Sequence, residues 1–289
     1  MKKILVLGST GMAGHLITLY FLEKGYDVVA YSMTPFPYCE NIIGDVLDTE
    51  KLIKVLLDGN YDAVINCVGI LIQASENNKA LAVYLNAYLP HLIADTLKMT
   101  KTKLIHMSTD CVFSGNTGPY KENSPKDGNT FYDRSKALGE VDDTKNLTFR
   151  NSIIGPDINE NGTGLFNWFM KQKGEINGFT GAIWTGVTTL TLAKAMEQAM
   201  IDNLVGLFHL VNNDSISKFD LLCLFNQYFR DNRIIINKFD DFVSDKSIFR
   251  TREDFSFHVP SYEEMVKEMK DWITNHKELY PNYYNYSIT

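Results

Sequence analysis

The stretch that most limits how this chain can fold lies at its amino end. "KILVLG" (Lys3 to Gly8) is a nearly unbroken aliphatic run, and "HLITLYFLEKG" (His15 to Gly25) has helical periodicity and ends at a glycine stop. Short aliphatic runs suit a strand buried on both faces of a parallel sheet. Between the two segments, Gly8, Gly11 and Gly14 stand three residues apart. Glycine lets the backbone turn tightly and approach a pyrophosphate, and a helix amino terminus offers free N–H groups and a positive dipole. The spacing is G-x-x-G-x-x-G rather than G-x-G-x-x-G. Three glycines alone say little, but three that join a first strand to a first helix predict a dinucleotide turn.

The alternation continues. "DVVAYS" (Asp27 to Ser32), "DAVINCVG" (Asp62 to Gly69), "KLIHMS" (Lys103 to Ser108) and "LTFRNSII" (Leu147 to Ile154) read as strands. Helices are predicted between them at Asp48 to Gly59, with Asp48 as N-cap, at Ala80 to Met99, bent by Pro90, and from about Tyr132. This pattern predicts an α/β fold, a Rossmann-like doubly wound parallel sheet over residues 1–155, completed by about 187–212. Residues 156–289 are expected to form mainly a smaller carboxyl-terminal α/β substrate lobe. Its helices are predicted at Gly164 to Gly174, Leu190 to Met200, Ser217 to Phe229 and Ser261 to His276. The last opens on a Ser261/Glu264 capping box. "GLFHLV" (Gly206 to Val211) reads as another buried strand and the tail "PNYYNYSIT" as irregular.

Composition narrows the function. The net charge is −7 over 289 residues, so no basic field favours nucleic acid or an anionic membrane. No apolar run reaches the length of a signal-peptide core or a membrane span, which gives a cytoplasmic expectation. The four cysteines (Cys39, Cys67, Cys111, Cys223) read as reduced thiols, and neither they nor the six histidines fall at metal-ligand spacing. No metal is expected.

"FYDRSKALGE" (Phe131 to Glu140) holds Tyr132 and Lys136 four apart, on one face of a helix. "HMSTDCVFSG" (His106 to Gly115) ends a strand shortly before it. With "GSTGMAG", "GDVLD", "NCVG" and "FRNSIIG", these pieces stand in order from Lys3 to about Gly155. On them the chain resembles the extended short-chain dehydrogenase/reductases, and within them the dTDP-4-dehydrorhamnose reductase family of nucleotide-sugar 4-ketoreductases.

The resemblance implies a catalytic trio of Thr109, Tyr132 and Lys136. A ketone that receives hydride develops negative charge on oxygen, which a phenol can protonate and a hydroxyl can hydrogen-bond. The lysine ammonium is expected to lower the phenol pKa and to hold the nicotinamide ribose. The resemblance further implies cofactor contacts from Gly8, Thr10, Gly11, Met12 and Gly14, from Asp45 and Val46, from Cys67, Val68 and Gly69, and from Asn86 and Ser152. Ser32 ends the second strand where an acid often holds a ribose diol, so its hydroxyl favours NADP(H), with NAD(H) the alternative. Substrate contacts are expected from Ser108, Thr109, Asn151, Trp184 and Arg252. Trp168 and Arg250 are further candidates, the aromatics for a base or sugar and the arginines for a diphosphate. Cys111 and Asp133 depart from the family's usual tyrosine and glycine. "GFTGAIWTGVTT" (Gly178 to Thr189) stands where the family that the chain resembles usually carries a substrate loop. The implied activity is NAD(P)H-dependent reduction of the 4-keto group of a dTDP- or UDP-linked 6-deoxy sugar for surface polysaccharide. The alternatives are a nucleotide-sugar epimerase on the same fold, or a non-catalytic NADP-binding regulatory subunit. A homodimer stays open.

Overall fold

The computed structural model describes residues 2–285. Seven parallel strands form the main sheet. In chain order they are β1 (Lys3–Leu7), β2 (Asp27–Ser32), β3 (Glu40–Ile43), β4 (Ala63–Asn66), β5 (Lys103–Ser108), β6 (Leu147–Arg150) and an edge strand Gly206–His209. In space the order runs from Gly206–His209 through β6, β5, β4 and β1 to β2 and β3. The chain therefore reverses direction between β1 and β4, and the carboxyl ends of those strands flank the crevice where doubly wound sheets bind ligands.

The aliphatic runs do what both-faces burial requires. Ile4 and Val6 pack into one core with α1 (Met12–Glu23), helix Thr189–Ile201 and helix Tyr262–Asn275. Leu5 and Leu7 face the opposite core, against α2 (Thr49–Asp58) and helix Leu89–Leu97. Ile4 to Leu7 are all buried, on alternating sides, and this is why the run shows no polar alternation.

The caps follow the sequence closely. The Asp48 carboxylate accepts from Lys51 N–H at the start of α2. Ser261 and Glu264 form a reciprocal capping box, and so do Thr130 and Asp133. The second box explains the aspartate that follows the tyrosine: it satisfies the first turn of helix Phe131–Leu138.

Three predicted elements differ. The long helix is interrupted before Pro90 by a π-helical stretch, Val83–Tyr88, between Lys79–Ala82 and Leu89–Leu97. Pro90 lacks the N–H that the Asn86 carbonyl would take in an α-helix, and the ladder adapts there. The expected substrate loop is instead mostly a ten-residue strand, Glu175–Trp184. It runs parallel to Ile235–Asp245 and antiparallel to Ile216–Ser217 in a second sheet. Alternating polar residues and two glycines, Gly178 and Gly181, hide these strands from a reading based on apolar runs. The tail is helical over Pro281–Asn285, with Tyr283 buried; its last four residues lie outside the described residues. No helix among the described residues is long and apolar enough to cross a membrane.

Candidate active site

The glycine turn is built as close packing dictates. Gly8 has φ +80°, a left-handed conformation that disfavours side chains. A Cβ on Gly14 would overlap the Gly8 carbonyl oxygen, so α1 can start directly beneath the turn only with glycine there. Gly11 caps α1 with no side chain, leaving the first-turn N–H groups of Met12 and its neighbours unclaimed by any side-chain cap. The Ser9 hydroxyl is buried beside this turn without a partner. Free N–H groups, a glycine cradle and an unsatisfied hydroxyl suit a dinucleotide pyrophosphate.

A cleft of about 580 Å³ opens from this turn across the carboxyl ends of the strands. Its walls include the predicted Gly11, Met12, Cys67, Val68, Gly69, Asn86, Ser108, Thr109, Tyr132, Lys136, Asn151 and Ser152. Gly8 and Gly14 lie just behind, and the Thr10 carbonyl accepts from Asn159 Nδ2 at 3.2 Å. Val46 is buried beyond the cleft, and Asp45 there accepts from Leu47 N–H at 3.0 Å. Asn86 works as a clamp: it exchanges hydrogen bonds with the Ile70 backbone at 2.9 and 3.0 Å and donates to Ser135 at 3.2 Å. The β4 loop is thereby fixed to the helix that carries the tyrosine.

The trio converges. Tyr132 and Lys136 are both buried, on the same face of helix Phe131–Leu138. The Lys136 ammonium donates to the Met107 carbonyl at 2.6 Å, and burial lowers its pKa to about 8, with Glu140 acting the other way. Thr109 Oγ1 donates to Asp110 at 3.1 Å and accepts from Cys111 N–H at 3.2 Å. Thr109 and Tyr132 both line the cleft. The tyrosine corrects one expectation. Burial, then Cys111 and Asp110, holds the phenol well above its ordinary value, and Thr109 opposes this only in part. The Lys136 ammonium is turned to the Met107 carbonyl. The protein alone therefore keeps the phenol protonated. Cys111, which also lines the cleft, has its thiol pushed up to about 12, chiefly by burial.

Six further expectations are corrected. Ser32 is buried, donates to the Thr34 carbonyl at 2.7 Å and accepts from Asn41 at 3.1 Å, so its hydroxyl is not free for a ribose phosphate. Ser108 lines the cleft, but its hydroxyl donates to Glu140 at 2.7 Å. Glu140 also takes two hydrogen bonds from Arg150, at 2.7 Å each, and one from Lys126 at 3.0 Å. Burial would raise this carboxyl, but the Arg150 bonds and charge outweigh it and keep it below its usual range. Trp184 is buried in the core against Tyr262, with ring centroids 5.7 Å apart, and does not reach the cleft wall. Arg252 grips Asp254 and the Val205 and Leu207 carbonyls around the start of strand Gly206–His209, at the end of the sheet remote from the cleft. Arg250 donates to the carbonyls of Arg252, Phe255 and Phe257. Trp168 is 43% exposed and is not part of the cleft wall.

Sequence reasoning missed Asp157, Thr163 and Gly164, which wall the cleft from the loop after β6. Its polar, glycine-bearing "DINENGTG" was the available signal. That loop is tied to the tail by Asp157 N–H, which donates to the Tyr283 hydroxyl at 2.7 Å.

Known proteins share this fold and parts of this sequence. A dTDP-4-dehydrorhamnose reductase from Bacillus anthracis, solved in complex with NADP, superposes with a TM-score of 0.78 at 20% identity, over 93% of this chain and 98% of that one. Agl14 of Haloferax volcanii, a probable low-salt glycan biosynthesis reductase, is 32% identical over 139 residues, 47% of this chain and 46% of its own. A dTDP-4-dehydrorhamnose reductase of Mycobacterium tuberculosis is 28% identical over 145 residues, 48% and 44% of the two chains. The chain thus spans about half the length of these curated relatives. The spore coat polysaccharide biosynthesis protein SpsK of Bacillus subtilis matches over more of its length, 77%, at 25% identity. The family profile for the RmlD substrate binding domain covers residues 1–236, and with the trio in place at the end of its sheet the chain belongs to that family.

Proposed function

We propose that this protein is an NAD(P)H-dependent reductase of the 4-keto group of a nucleotide-linked 6-deoxy sugar, in the assembly of surface polysaccharide. The observation that carries the reading is the convergence of Thr109, Tyr132 and Lys136 on one cleft that begins at the glycine turn. When bound, the reduced nicotinamide supplies a hydride. The turn around Gly8, Gly11 and Gly14 holds the pyrophosphate on the N–H groups of α1, and the Cys67–Gly69 loop, braced by Asn86, walls the dinucleotide. Tyr132 gives its proton to the carbonyl oxygen as the carbon is reduced, leaving an alcohol. Because burial raises the phenol, the proton is present before the substrate arrives. Thr109 hydrogen-bonds the developing oxyanion, and Lys136 holds the cofactor ribose. NADPH is the proposed preference over NADH, since no acid stands at the end of β2 to repel a 2′-phosphate.

The test is a panel of dTDP- and UDP-linked 4-keto-6-deoxy sugars with NADPH and then NADH, followed by loss of nicotinamide absorbance. One NADPH consumed per sugar supports the reductase. Interconversion without net consumption would instead make it an epimerase, and cofactor binding without turnover a regulatory subunit. Tighter binding of NADH than of NADPH at one ionic strength would reverse the cofactor preference.

A further inference from the structure

We propose that the Asn151 carboxamide reads a hydroxyl on the carbon next to the ketone, and so makes the enzyme select sugars that carry that hydroxyl over their deoxy analogues. The inference rests on the reductase reading above and adds a specificity determinant to it.

Other polar side chains of the cleft wall already have a protein partner. Ser108 donates to Glu140, Thr109 to Asp110, and Lys136 to the Met107 carbonyl. Asn151 lines the same cleft at 2% exposure, and neither its Nδ2 nor its Oδ1 has a partner. A buried amide left unpaired costs about 1–3 kcal/mol, and folded proteins rarely leave one so. In a cleft wall such a group is poised for a ligand.

The register says which part of the ligand it meets. Arg150 is paired with Ser108 across β6 and β5. Asn151 follows Arg150 as Thr109 follows Ser108, so the amide stands next to the residue that holds the reacting oxygen. The amide has two N–H donors and an acceptor oxygen. A hydroxyl can accept from the first and donate to the second, whereas a hydrogen in its place leaves the amide buried and unpaired. Sites built this way reject the analogue that lacks the group far more strongly than apolar pockets separate methylenes.

The experiment uses two nucleotide-linked 4-keto-6-deoxy sugars that differ only in hydroxyl or hydrogen at carbon 3. It compares the wild type with Asn151→Ala and with Asn151→Ser, the second retained in case the first folds poorly. The readouts are kcat/KM for each ketone and the NADPH dissociation constant from nicotinamide fluorescence. The wild type is expected to prefer the hydroxylated ketone by ~10²-fold or more, and the variants to reduce that ratio to about the level of a lost methylene, ~10-fold or less, with NADPH affinity unchanged. An unaltered ratio overturns the proposal, and so does weakened NADPH binding at an unaltered ratio, which would assign the amide to the nicotinamide. Wild-type enzyme that oxidises NADPH with neither of these ketones, nor with any sugar of the wider panel, overturns the reductase reading itself.

Discussion

At the carboxyl end of the seven-stranded sheet, side chains such as Tyr132, Lys136 and Asn151 are buried by packing yet open onto a cleft. In the lobe beside it, Trp184 is enclosed in the core, and Arg250 and Arg252 are bound to the chain's own carbonyls. The two regions look alike in a list of residues, since both offer aromatics and cations. They differ in whether backbone partners are already supplied. The sheet meets its own hydrogen-bonding needs through its ladder, so Asn151 at its end is left unpartnered and Lys136 meets a single carbonyl, that of Met107. The segment 249–257 has no regular structure of its own, and its arginines stand in for the missing ladder.

The contrast fails first, and most visibly, at Tyr132. Tyr132→Phe keeps the ring but removes the proton, and turnover should fall by ~10²–10⁴-fold with NADPH affinity unchanged. Retention of more than half the wild-type rate, under conditions where chemistry limits, would show that the sheet end does not hold the proton donor. Trp184→Ala tests the opposite region: a buried aromatic lost from a core should lower stability by about 3–5 kcal/mol in urea titrations. Substrate KM in the fraction that stays folded should not move, and a raised KM at unchanged stability would return this residue to the substrate site.

Lys136 gives a pH signature. Its folded-state pKa, lowered to about 8 by burial, lies below that of the unfolded chain, so the unfolded chain binds more protons between the two values. Burying the ammonium thus weakens the ligand-free fold below pH 8, and this cost should fade as pH rises from about 8 toward 10. Against Lys136→Met, whose stability lacks this term, the wild type should gain over that interval in paired denaturation curves. Parallel curves would mean that the ammonium is not desolvated. The smallest effect belongs to Arg252→Ala: stability falls by about 1 kcal/mol, and both NADPH affinity and substrate KM stay within twofold. A KM raised tenfold would erase the distinction between the regions.

These two regions also mark what could be read from the sequence. β1, the glycine turn and the Tyr-x-x-x-Lys helix were legible because each is dictated locally, by an aliphatic run, a close backbone approach or a helical spacing. Asp48, Ser261 and Glu264 were legible as caps for the same reason. The roles of Ser32, Ser108, Trp184 and Arg252 were not, because what they touch is set by residues such as Asn41, Glu140, Tyr262 and Val205. Strands Glu175–Trp184 and Ile235–Asp245 escaped because half-exposed strands with interleaved glycines and charges lack an unbroken apolar signature. The cleft loop at Asp157 escaped because its walling role depends on Tyr283, 126 residues away.

One connection reaches further along the chain. His15 Nδ1 meets the Gly11 carbonyl at 3.0 Å, its Nε2 meets the Tyr280 hydroxyl at 2.9 Å, and that hydroxyl accepts from Trp272 Nε1 at 3.0 Å. Burial lowers the His15 pKa to about 4, so near neutrality the ring is uncharged. The assignment that satisfies all three contacts has the proton on Nδ1, given to Gly11, and the tyrosine proton given to Nε2. The glycine turn is thus fastened by a residue 265 positions further along the chain. The His15 ring finds its second partner only when the segment around Tyr280 docks on α1. A variant truncated before Tyr280 would keep every strand of the seven-stranded sheet and still lose the contact that braces the glycine turn.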